Sequence, residues 1–104
     1  MNALVSIITP SYNSAKFIAE TIQSVQNQTY SNWEMIIVDD GSSDETENVV
    51  LSIIENDNRI QFHKLSQNSG PAVARNTGIE KASGDYMTFI DADDIWFPTF
   101  IENN

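Results

Sequence analysis

Four short runs of β-branched and aromatic residues alternate in this chain with three stretches whose apolar residues recur at helical spacing. That alternation is what most limits the fold. "LVSIIT" (4–9) is closed by Pro10, and "WEMIIVDD" (33–40) stops at an Asp pair before Gly41; both read as buried strands. "IQFHKL" (60–65) alternates in period two, as a less buried or edge strand does. "DYMTFI" (85–90) is the fourth run, read as a buried strand, and it feeds an acidic cluster. Between the strands, Phe17, Ile18, Ile22 and Val25 mark a first helix from Ser14 onward. The second helix opens on Ser42 and Glu45 as a capping box and carries Val49, Val50, Ile53 and Ile54 on one face. The third has Pro71 near its start and Gly84 just past its end. An order βαβαβαβ with short connections predicts an α/β fold, a three-layer sandwich in which helices cover both faces of a mainly parallel, Rossmann-like sheet. With 104 residues and no linker, a single domain spanning residues 1–104 is expected.

In sheets of this kind ligands sit beyond the C-terminal strand ends, at the switch point. There the polar residues collect: strand one exits into "TPSYN", strand two into "DDGSSD" and strand four into "DADD". Asp91, Asp93 and Asp94 repel one another by roughly 1 to 4 kcal/mol per pair at 4 Å, depending on solvation. A hard cation such as Mg2+ or Mn2+ would relieve that repulsion. The competing reading is a solvated acidic turn in which Asp94 caps a short helical turn from Ile95. D-x-D alone is a weak pattern, and its place after a buried strand favours the cation. Asp39 either caps the second helix or stabilises the turn at Gly41. Asp40, further beyond the strand, reads as an acceptor for a ligand N–H or hydroxyl. Tyr12 offers a ring face to a heterocycle, and Asn13 caps the first helix. Arg75 pairs with Asp40 or Asp91, or meets a diphosphate; a structural ion pair is the alternative. His63 and Trp33 read as structural, and Trp96 as packing after the acidic cluster.

Charge and composition exclude several classes. Fifteen acidic residues oppose five basic ones, a net charge of -10, so nucleic acid and anionic membrane surfaces would be repelled. An anionic ligand needs a metal ion or backbone N–H groups to receive it. Without cysteines there is no disulfide or thiolate metal site. The apolar runs are too short to span a bilayer, and no basic region precedes the first of them, so a cytoplasmic protein is expected. Neither G-x-x-x-x-G-K-[ST] nor G-x-G-x-x-G occurs. A phospho-acceptor signalling module of receiver type would also cluster aspartates on a parallel sheet. It would place its acidic pair after strand one, with a lysine at a late strand end, and neither feature is found. A sugar-phosphate nucleotidyltransferase would need a Gly-rich basic loop where "TPSYNSAK" stands.

"VSIITPSYN", "IIVDDGSSDET" and "NSGPAVARNTGIEKASGDYMTFIDADD" closely resemble the start of family 2 glycosyltransferases, whose nucleotide-sugar domain has the GT-A fold. The resemblance runs from Val5 to about Pro98. It implies that Pro10, Ser11, Tyr12 and Asn13 wall the nucleotide pocket and that Asp40 accepts from the base, usually uracil. Asn68, Gly70 and Arg75 would flank base and diphosphate, Asp91 with Ala92 would meet the ribose side, and Asp93, assisted by Asp91, would hold Mn2+ or Mg2+. The implied partners are a UDP-sugar donor and a saccharide or lipid-linked acceptor, as in cell-envelope polysaccharide biosynthesis. Family members are considerably longer, and their second half carries the acceptor site and the general base. The chain thus reads as the donor-binding part of an inverting transferase, with the base absent and Glu102 on the exposed side of a nascent helix. Strand four is then expected to expose an edge, leaving Trp96, Phe97, Phe100 and Ile101 short of packing partners and favouring self-association. Membrane association is left to a longer parent protein.

Overall fold

A computed structural model describes residues 3–102. Along the chain follow β1 (Val5–Ser11), α1 (Ile18–Gln26), β2 (Trp33–Asp39), α2 (Thr46–Ile54), β3 (Ile60–Lys64), α3 (Pro71–Lys81) and β4 (Tyr86–Phe89), the expected alternation. The four strands form one parallel sheet in the order β3-β2-β1-β4. The chain winds outward from β1 through β2 to β3, and α3 then carries it back to the other side of β1. The switch point therefore lies between β1 and β4, beyond their C-terminal ends.

Both faces of the sheet are covered. Val5, Ile7, Met35 and Ile37 pack on one face against Ile18, Ile22 and Val25 of α1, Val50 of α2 and Ile101 of the C-terminal segment. On the other face Ile36 and Val38 meet Ala74 of α3. Gly78 lets α3 approach still closer, since a Cβ there would lie 2.6 Å from Ile8 Cγ2. Two-sided burial is why β1 and β2 read as unbroken apolar runs. Each fully buried isoleucine contributes about 1.5 to 3 kcal/mol. β3 is an edge strand, as its alternation predicted.

Several local expectations need correction. β1 runs through Pro10 to Ser11 instead of ending at Thr9. The Ile8 carbonyl accepts the Ile90 N–H (3.1 Å), so Ile8 and Pro10 face the β4 side, where pairing ends at Ile8 and Phe89. The missing donor of Pro10 thus faces no strand. The capping box does not form. α2 starts at Thr46, whose N–H goes to the Asp44 carboxylate (3.0 Å), while Ser42 Oγ donates to the Asp39 carboxylate (2.6 Å). α1 starts only at Ile18, which leaves Phe17 exposed ahead of it. Gly84 is not a helix stop: α3 gives way to an extended Ala82 (φ -72°, ψ 136°). A Cβ on Gly84 would lie 2.5 Å from Ser6 Oγ and 2.8 Å from the Leu4 carbonyl oxygen, so close approach to β1 selects this glycine.

β4 is not the buried strand expected from its composition. It pairs with β1 alone and forms the second edge of the sheet, with Tyr86, Met87 and Phe89 60%, 52% and 45% exposed. Of the residues beyond it, Phe97 is exposed as expected. Trp96, Phe100 and Ile101 find partners: the two rings stack at 4.3 Å, and all three pack on the face held by α1.

Candidate functional site

The floor of the site is laid by loops tied to one another across the strand ends. Asn13 sits at φ 48°, a left-handed conformation that asparagine tolerates. Its N–H donates to Ser42 Oγ (2.7 Å), and its Oδ1 accepts the Ser43 N–H (2.9 Å). Asn13 is therefore a clasp between the loops after β1 and β2, not the cap of α1. Beside it the Ser14 N–H donates to Thr46 Oγ1 (2.9 Å) and the Ala15 N–H to Asp44 (3.2 Å). Desolvation pushes the Asp44 carboxyl up, and the hydrogen bonds from Thr46 and Ala15 together outweigh it, leaving the group below its ordinary value. Asp39 is fully buried and accepts both the N–H (2.7 Å) and the hydroxyl of Ser42. Of its two expected roles it fills the turn at Gly41, where φ is 77°.

Asp40 reaches the other way. Its N–H donates to the Ser11 carbonyl (2.8 Å), and its carboxylate accepts the N–H groups of Ser69 (2.7 Å) and Gly70 (2.9 Å). Gly70 holds φ 98°, open to glycine alone at no strain, and Pro71 follows as the first residue of α3. Asp40 thereby seats the start of α3 beside β1. The result is a cleft of about 220 Å³ lined by Pro10, Ser11, Tyr12, Asp40, Pro71, Ala74, Arg75 and Asp91. It lies at the switch point.

Of the residues singled out in the sequence, Pro10, Ser11, Tyr12, Asp40, Arg75 and Asp91 meet in this cleft. Arg75 is exposed and joined to neither Asp40 nor Asp91; the ion pairs among the described residues link Arg59 to Asp57 and Lys64 to Glu47. Asn13, Asn68, Gly70, Ala92 and Asp93 stand outside the lining. Asn13 and Gly70 shape the loops, Asn68 is exposed, and Ala92 is buried with its carbonyl accepting Thr21 Oγ1 (2.9 Å). Pro71 and Ala74 were missed in the sequence. For Pro71 the signal was Arg75 itself, because a residue one turn before a cleft-facing helical side chain shares its face; Ala74, the immediate neighbour of Arg75, carried no such signal.

At the rim Asp91, Asp93 and Asp94 are all exposed, and one carboxylate oxygen from each lies within 4.8 Å of the others. The Asp94 N–H closes a turn onto the Asp91 carbonyl (3.0 Å). Asp94 caps no helical turn from Ile95; the next turn covers residues 98–102. An all-oxygen, solvent-facing donor set fits a hard divalent cation that keeps part of its water shell.

Residues 6–103 match the family described as Glycosyl transferase family 2. The chain belongs to that family. The chain is 50% identical over 93 residues to TuaG of Bacillus subtilis (strain 168), named a putative teichuronic acid biosynthesis glycosyltransferase, covering 89% of this chain and 37% of TuaG. The chain thus spans little more than a third of that relative's length. S. aureus TarS 1–349, crystallised with UDP, superposes with a TM-score of 0.88 at 31% identity over 95% of this chain and 30% of its own. The mannosyltransferase PcManGT from Pyrobaculum calidifontis, in complex with GDP-Man and Mn2+, gives 0.86 at 29% identity over 92% and 29%. The GT-A architecture expected from the family resemblance is the one found. Among its described residues no helix is long and apolar enough to cross a membrane.

Proposed function

We propose that this chain is the donor-binding part of an inverting, metal-dependent glycosyltransferase that takes its sugar from a nucleoside diphosphate sugar, UDP-sugar by preference. The observation that carries the reading is the cleft itself: an aromatic ring, a buried carboxylate and a guanidinium share about 220 Å³ at the switch point, and Asp91 joins that space to the acidic rim. Tyr12 packs on the base. Asp40 keeps a second lone pair on each oxygen beyond those given to Ser69 and Gly70, and these accept an N–H from the base. Pro10 and Ser11 wall the pocket, Asn13 clasps its loops, Asn68 and Gly70 flank base and diphosphate, and Ala92 stands with Asp91 on the ribose side. Arg75 faces the base and diphosphate, Asp91 the ribose, and Asp93 with Asp91 takes Mn2+ or Mg2+. When bound, the cation neutralises charge developing on the departing diphosphate. It also lets a chain of net charge -10 accept an anionic donor.

The acceptor is a saccharide or lipid-linked hydroxyl, and the product is an envelope polysaccharide made on the cytoplasmic side; the assignment of TuaG to teichuronic acid biosynthesis supports this. The general base lies in the part of the longer relatives that this chain does not span. Glu102 is a poor substitute, because its carboxylate is held by the Thr29 hydroxyl. Complexes of the neighbours with UDP and with GDP-Man and Mn2+ support the donor and the cation.

Calorimetric titration of UDP with Mn2+ and with chelator, on the wild type and Asp93→Ala, tests the reading. Metal-dependent binding that disappears in the variant is expected. Binding indifferent to both metal and Asp93, or no binding to the wild type, overturns it.

A further inference from the structure

One stripe of α1 does something its periodicity does not announce. Ile18, Ile22 and Val25 face the core, while Thr21, Ser24 and, just past the helix, Gln28 form a second row at spacings of three and four. Each member of that row is buried and bonded to the segment after β4. Thr21 Oγ1 donates to the Ala92 carbonyl (2.9 Å), Ser24 Oγ accepts the Trp96 N–H (3.2 Å), and Gln28 donates to the Phe97 carbonyl (2.7 Å) and accepts the Ile101 N–H (3.0 Å).

The first of these bonds falls inside the acidic turn. Ala92 stands between Asp91 and Asp93, with its own methyl in the core. Three bonds pin this turn: Ile90 N–H to Ile8, Asp94 N–H to Asp91, and the Ala92 carbonyl to Thr21. The first anchors the strand and the second is internal to the turn. Among the described residues the Thr21 bond, beside the buried Ala92 methyl, ties the middle of the turn to the body of the fold, and the rotation of the turn governs where the exposed carboxylates point.

We infer that Thr21 is a positioning residue for the cation carboxylates, its hydroxyl holding the Ala92 carbonyl so that Asp91, Asp93 and Asp94 converge. The inference rests on the cation reading above. Outer groups that orient metal ligands are worth about 10- to 100-fold in affinity, and Thr21 acts at one further bond's remove, through the backbone.

The test measures Mn2+ binding by the electron paramagnetic resonance of the free ion at fixed UDP, on the full chain, with thermal midpoints alongside. Thr21→Val keeps the shape and loses the hydroxyl, Thr21→Ser restores the hydroxyl, and Ser24→Ala removes the neighbouring bonds to the Trp96 N–H and the Thr21 carbonyl while leaving the Thr21 hydroxyl in place. The expected result is a loss of about tenfold in Mn2+ affinity for Thr21→Val, near-complete rescue by Thr21→Ser, and a lowered midpoint with unchanged Mn2+ affinity for Ser24→Ala. If Thr21→Val does not fold, Thr21→Cys, a weaker donor of similar size, takes its place. Wild-type affinity in the valine variant overturns the inference, as does equal loss in the serine or Ser24→Ala variants. A wild type that binds no Mn2+ overturns the cation reading itself, a different outcome from either.

Discussion

Asp40 and Gly70, thirty residues apart, are joined by a 2.9 Å hydrogen bond from backbone to carboxylate, with Ser69 bonded to the other oxygen at 2.7 Å. The residue that lines the cleft from the strand side therefore also fixes where α3 begins. Asp40→Asn keeps the volume but turns an amide N–H2 toward one of these backbone donors. We expect it to lower stability by about 1 kcal/mol, the low end of the cost of a donor left without an acceptor, because Ser69 is exposed and Gly70 half-buried. Nucleotide affinity should fall with it. Urea midpoints and UDP titration on the same preparation check both.

Gly84→Ala should be at least as damaging, although Gly84 touches no part of the cleft. Its Cβ would meet the Leu4 carbonyl oxygen and the Ser6 N–H nitrogen, both at 2.8 Å, and backbone atoms of β1 have little room to yield. A loss of about 1 to 3 kcal/mol is the usual cost of such overpacking, and it should register as a lower thermal midpoint with UDP affinity retained at low temperature.

What the sequence made legible was whatever is decided locally. Ile7, Ile8 and the run from Met35 to Val38 announced strands because both their faces are buried, and the polar groups gathered at strand ends because that is where a parallel sheet leaves backbone free. What escaped depends on partners far along the chain. Ser42 reads as a cap from its neighbours, but its hydroxyl is claimed by Asn13, 29 residues earlier. Thr21 drew no reading from the sequence, because its partner Ala92 lies 71 residues later. β4 reads as buried because Tyr86, Met87 and Phe89 are apolar, and nothing in the composition says that α3 covers β1 and β2 instead.

Acid should unlock one corner of the fold. Asp57 receives the Arg59 side chain at 2.9 and 3.0 Å, while the guanidinium carbon lies 3.8 Å from the centre of the Trp33 ring. Hydrogen bonds from Arg59 hold the Asp57 carboxyl down at about 2, against an ordinary 3.8. A depressed carboxyl contributes stability above its unfolded pKa and loses it as pH falls through the folded one. Because Arg59 is 36% exposed, the contribution is discounted for screening to about 1 kcal/mol. Asp57→Asn should therefore lower the urea midpoint at pH 7, and its difference from wild type should close between about pH 4 and pH 2.

The bare flank of β4 should associate. Tyr86 and Ile90 spend their N–H groups on β1, so the backbone groups of Met87 and Phe89 point outward along an edge flanked by exposed apolar side chains. Sedimentation velocity should show concentration-dependent association, strengthened by salt because each copy carries a net charge of -10. Phe89→Lys should abolish it. A wild type that stays monomeric across the concentration range contradicts the expectation.

Pro10 gives the cleft its opening. A strand that continued alongside β1 past Ile8 would have to find its next donor at residue 10, and the imide ring has none to give. The zipper of β1 and β4 runs out at that tooth, the two chains part, and the Asp91 turn swings clear of the sheet. The binding space is in this sense written into the sequence as a withheld hydrogen bond. Restoring the donor by Pro10→Ala would add a stitch where the molecule needs a gap.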